Sequence, residues 1–85
     1  MMPYIKKPKR KILEPNILAA SGYVSCEGDL NYCFSLLCKQ FIKRKGKKYK
    51  YFNACIGALE SAKLELYRRH IAPYEDEKIK ENGDI

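Results

Sequence analysis

Six cationic side chains, Lys43, Arg44, Lys45, Lys47, Lys48 and Lys50, fall within eight residues and are interleaved with Tyr49 and Tyr51. Phosphate oxygens bind such groups, and a tyrosine ring offers a π face on which a base stacks. Five more cations, Lys6, Lys7, Lys9, Arg10 and Lys11, follow Tyr4. The pattern fits several anionic partners: nucleic acid, a mononucleotide, a cyclic dinucleotide or an acidic protein face. A solvated lysine loop is the plain structural alternative.

A second constellation lies downstream. Asn53, Glu60, Lys63 and Tyr67 are spaced by 7, 3 and 4 residues, which lines one face of a helix with Ile56 between them. Gly57 costs that helix about 1 kcal/mol relative to alanine, and it lets a backbone or a ligand approach closely. Such a stripe lines a pocket between subunits or forms a polar seam between helices. Arg68 and Arg69 extend it with positive charge. Tyr32 follows Asp29-Leu30-Asn31 at a helix start, where free N–H groups attract phosphate. The Asp29 carboxylate competes for that role as a cap.

Catalysis finds little support. His70 is the only histidine, it sits beside Arg68 and Arg69, and no nucleophile–base motif accompanies it. Its place at a helix C-terminus is favoured by the dipole. Cys26, Cys33, Cys38 and Cys55 form no Cys-x-x-Cys pair, so the usual zinc knuckle is missing. We expect them reduced and buried as small hydrophobes, the behaviour of cytosolic thiols. Glu75-Asp76-Glu77 reads as an acidic first turn rather than a metal site. The expectation is a protein that is not an enzyme and uses no cofactor and no metal.

The elements that position these residues are helical. At 85 residues, with 46% hydrophobic content, the chain is one domain that folds with little margin. The net charge of +7 is uneven: residues 1–50 carry 12 lysines and arginines against Glu14, Glu27 and Asp29. Residues 51–85 carry five against seven acids. That asymmetry points to an anionic partner for the first half, or to contact between the halves. The acidic end would then mask part of the basic charge. No secretory leader or membrane-length apolar run is evident, so the expected location is the cytoplasm, with no membrane partner.

Residues 1–12 read as an extended basic arm and residues 13–85 as a single helical domain. Leu13-Glu14-Pro15 opens a short helix, with Pro15 at its first position and Gly22 at a left-handed cap. Asp29 caps a second helix over about 30–44, where Leu30, Cys33, Phe34, Leu37, Phe41 and Ile42 recur at helical spacing. A third runs from about Tyr49 to His70 with Phe52, Cys55, Leu59, Ala62 and Leu66 as its apolar stripe. Glu65 and Arg69 form a favourable i,i+4 pair on it. Pro73 ends or kinks it and starts a short fourth helix, closed at Asn82-Gly83. No strand alternation occurs, and the fold class is all-α. A helix of about 33 Å is hard to clothe with two shorter ones, so a homo-oligomer is expected.

The segments G-D-L-N-Y at 28–32 and L-E-L-Y-R-R-x-x-A-P-Y-E-D-E-K-I-x-E-N-G-D at 64–84 are similar to a family of small helical proteins of bacteriophages and prophages. P-Y-I-K at 3–6 and N-A-x-I-G-x-L-E at 53–60 agree with it, and Glu14 stands where that family more often has Asp. The resemblance implies a viral protein acting in the bacterial cytoplasm, and it carries no catalytic residue. The functional expectation is sequestration of an anionic nucleotide, cyclic or linear, that signals host defence. Lys43, Arg44, Lys47, Lys48, Arg68 and Arg69 would meet its phosphates; Tyr32, Tyr49 and Tyr67 would stack or hydrogen-bond; Asn53, Glu60 and Lys63 would read its polar edges. The rivals are a nucleic-acid-binding accessory protein and an inhibitor docking on a host protein.

Overall fold

The computed structural model describes residues 5–84, and its ordered elements are all helical. They are α1 (Lys7–Ser21), α2 (Glu27–Lys45), α3 (Tyr49–Leu66), a π-helical turn (Tyr67–Ile71) and α4 (Ala72–Asn82). The chain divides into two units, residues 3–52 and residues 53–85, and each is taken by itself.

In the first unit α1 begins at Lys7, well before Pro15. The residues expected to form an extended arm are therefore helical from Lys7 onward; Met1–Tyr4 lie outside the described residues. Pro8, not Pro15, occupies the helix start, where a missing N–H costs nothing. The N–H groups of Lys9 and Arg10 both donate to the Lys6 carbonyl at 3.1 Å, and Arg10 Nε donates to the Ile5 carbonyl at 2.6 Å. Repulsion among exposed, screened lysines is too weak to undo these bonds. Pro15 instead stands inside α1, where it deprives the Lys11 carbonyl of its donor. Gly22 is not left-handed, at φ −65°; tight bonds from Tyr23 to Ala20 and from Val24 to Ser21 close the helix instead.

Helix α2 starts three residues earlier than Asp29 alone suggests, with Cys26 as its cap residue. Asp29 sits in the first turn and reaches back, accepting from the Ser25 N–H at 3.0 Å and the Ser25 hydroxyl at 3.2 Å. This is the backward half of a capping box. Gly46, at φ +119°, ends α2 as expected and donates to the Ile42 carbonyl at 2.7 Å. After the short turn the Phe41 and Tyr51 rings meet edge to face, 6.1 Å apart.

In the second unit Pro73 does not break the helix. Ala72 keeps helical angles, φ −60° and ψ −46°, and its N–H donates five residues back to Tyr67. In an α-helix the proline ring clashes with the carbonyl four residues earlier. The wider turn just before Pro73 relieves that clash, so the third helix runs on as one long helix to Asn82. Gly83, at φ +85°, terminates it.

Burial is sparse. Among the described residues only Cys55 is buried; Cys33 and Cys38 are half-buried and Cys26 is exposed, contrary to the expectation for the thiols. None of the four is in a disulfide. Leu30, Phe34 and Leu37 of α2, spaced as a core face should be, stay 46%, 47% and 59% exposed.

Candidate functional site

Ser35, Lys39, Lys43 and Lys47 recur at four-residue intervals. On a helix of 3.6 residues per turn, the first three form a row along one side of α2, and Lys47 follows from the turn after Gly46. With Cys38 and Ile42 they line a groove of about 600 Å³ within the first unit. Its floor is mainly apolar and its charge comes from three ammonium groups. Tyr32 lies three residues before Ser35, hence on the same side of α2, and is two-thirds exposed. Around the turn, Lys48 and Tyr49 are exposed, and the Tyr49 ring meets Phe52 edge-on at 6.1 Å. Arg44 is exposed near the end of α2, and Lys50 lies over the Tyr51 ring at 5.5 Å.

The electrostatic contrast with the second unit is clear. All four ion pairs among the described residues lie between Glu60 and Glu81: Lys63–Glu60 and Lys78–Glu81 at 3.1 Å, and Arg68 and Arg69 both on Glu65. Arg68 Nη2 donates to Glu65 Oε1 at 2.8 Å. No carboxylate among the described residues pairs with Lys39, Lys43, Arg44, Lys45, Lys47 or Lys48. A cation already held by a neighbouring carboxylate has less attraction left for a phosphate, so the groove lysines outrank Arg68 and Arg69 as phosphate partners.

The π turn builds a different feature. In a regular α-helix residues i and i+7 face the same way; the extra residue in the wide turn makes i and i+8 do so. Tyr67 and Glu75 are eight apart, and the phenol donates to Glu75 Oε1 at 2.5 Å. That bond and the negative charge of Glu75, with a smaller contribution from Asp76, push the Tyr67 hydroxyl above the ordinary tyrosine range. A shallow groove of about 570 Å³ lies alongside, bordered by Tyr67, Glu75, Asp76, Ile79 and Asp84. Its acids make it unsuited to an anion. At the other end of the chain, hydrogen bonds from the Ser25 backbone and from the Cys26 and Ser25 side chains hold Asp29 below the ordinary carboxylate range.

Of the residues singled out from the sequence, Lys43 and Lys47 line the first groove, with Tyr32, Arg44, Lys48 and Tyr49 in the same unit. Asn53, Glu60, Lys63, Tyr67, Arg68 and Arg69 all belong to the second unit. Glu60 and Lys63 pair with each other, and Tyr67 is occupied by Glu75. Sequence reasoning missed Ser35, Cys38, Lys39 and Ile42, although the four-residue recurrence of Ser35, Lys39, Lys43 and Lys47 carries the signal. It also missed Glu75 as the partner of Tyr67, because the α-helical period sets those two apart. Among the described residues no group of His, Cys, Asp and Glu is placed to hold a metal, and no helix is long and apolar enough to cross a membrane.

The chain belongs to the family described as Domain of unknown function (DUF6899), whose profile matches residues 2–85. No curated protein and no solved structure matches it.

Proposed function

We propose that this protein is a non-enzymatic binding protein that sequesters a small anionic ligand of nucleotide type. The observation that carries this reading is the groove on α2, with Lys39, Lys43 and Lys47 beside an apolar floor of Cys38 and Ile42. Its volume suits a small molecule of roughly 300–1,000 Å³ pocket class. Phosphates meet the ammonium groups, and the ring system lies on the apolar floor with Tyr32 at one end. The resemblance to bacteriophage and prophage proteins favours a ligand that signals host defence, withdrawn from its receptor in the bacterial cytoplasm.

The test is retention. Nuclease-treated protein is incubated with a panel of linear and cyclic nucleotides, desalted and denatured, and the released small molecules are identified. One nucleotide class, recovered in stoichiometric amount and lost in the Lys39→Gln/Lys43→Gln/Lys47→Gln variant, is the expected result. Recovery of none would falsify the sequestration reading.

A second reading, nucleic-acid binding, is favoured by the exposed and unpaired run Lys43–Lys48. Retention of DNA or RNA that falls steeply with salt, with a slope matching six or more phosphates, would favour it over the small-ligand reading.

A further inference from the structure

We infer that the protein is a two-fold dimer in which the apolar stripe on α2 of each copy packs against the apolar stripe on α3 of the other. Each unit displays such a stripe without covering it. Leu30, Phe34 and Leu37 are exposed in the first unit; Ile56, Leu59 and Leu66 are exposed in the second, at 66%, 38% and 54%. The positions recur at intervals of three, four and seven, the pattern of a helix face made to meet another helix.

Twenty-one large apolar or aromatic side chains are exposed among the described residues, and one cysteine is buried. A chain ordered over this length needs apolar burial to offset its lost conformational entropy. A stable dimer covers about 800 Å² on each partner, or 20–30 residues, which the two stripes and their neighbours supply. Obligate dimers of this kind have no stable folded monomer.

Charge selects the partner. The first 50 residues carry a balance of +9 and the remainder one of −2. Like-to-like pairing of first units would bring two strongly basic surfaces together. First-to-second pairing sets the basic unit of one copy against the unit bearing Glu75, Asp76, Glu77 and Glu81, and the two-fold axis repeats the contact in reverse. A second copy of this chain therefore offers both a matching apolar face and the opposite charge.

Light scattering on nuclease-treated protein gives the mass, and thermal melting over a hundredfold concentration range shows whether folding is coupled to association. The expected results are twice 9.9 kDa and a midpoint that rises by roughly 5–10 °C with concentration. Leu37→Glu and Leu59→Glu, one in each stripe, should each abolish the dimer. A helical 9.9 kDa species whose midpoint ignores concentration overturns the inference, whatever the fate of the variants. So does a dimer that survives both substitutions, or an assembly that forms only when nucleic acid or another protein is added. The wild-type mass and melting need no bound nucleotide, so their failure is distinct from failure of the ligand reading.

Discussion

At the scale of single residues, the decisive distinction lies between cations that are already engaged and cations that are not. Glu65 holds Arg68 and Arg69, and Glu65→Gln should release both. Exposed pairs contribute little, so stability should change by less than about 1 kcal/mol, while retention on a polyanion resin moves to higher salt. Tyr67 supplies a second check. Its raised folded-state pKa means that the Glu75 bond contributes stability below the ordinary tyrosine range and loses it as pH rises through the folded value. Ultraviolet titration of the wild type minus Tyr67→Phe should isolate a phenol that ionises late, and Glu75→Gln should bring it earlier. An unchanged titration on removing Glu75 would remove the π-turn contact from the account. Asp29 runs the other way: its depressed value gives stability that is present above the ordinary carboxylate range and lost as pH falls through the folded value. Asp29→Asn should therefore flatten the acid limb of a helicity titration.

At the scale of elements, proline and glycine give the sharpest expectations. Pro15 breaks the hydrogen-bond ladder of α1, so Pro15→Ala should stabilise the protein by about 2 kcal/mol, the helix gain less the entropy proline removes from the unfolded chain. A Cβ at Gly57 meets nothing within 4 Å, and this position lies away from the α3 stripe. Gly57→Ala should add up to about 1 kcal/mol and leave the mass unchanged. Gly46→Ala should cost about 1 kcal/mol or more, because φ +119° is foreign to alanine. Denaturant midpoints at fixed concentration measure all three.

Much of this layout was legible in the sequence. The all-helical class, the stops at Gly46 and Gly83 and the Glu65–Arg69 pair follow from period, left-handed glycine and i,i+4 spacing. The start of α1 was not, because Pro8 and Pro15 offer the same local signal and only the Lys6 carbonyl bonds decide between them. The continuation through Pro73 was not either, since a π turn has no sequence mark of its own. In the candidate site, Lys43 and Lys47 were legible as charge. Lys39 was not, standing outside the dense cluster, and neither was the apolar floor, whose Cys38 and Ile42 read equally well as core.

At the scale of the whole molecule, the two units differ in how far their charge is satisfied. The second unit settles most of its charges internally, while the first leaves its lysines open beside an apolar groove. That combination asks for a ligand with both a charged and an apolar part. The most direct measurement is calorimetric titration of the retained nucleotide into the wild type and into single Lys39→Gln, Lys43→Gln and Lys47→Gln variants. A charge-assisted hydrogen bond is worth about 1.5–3 kcal/mol, so each substitution should weaken binding by roughly tenfold or more, with helicity and mass unchanged. Equal affinity in the wild type and all three variants would contradict the assignment of this groove as the site.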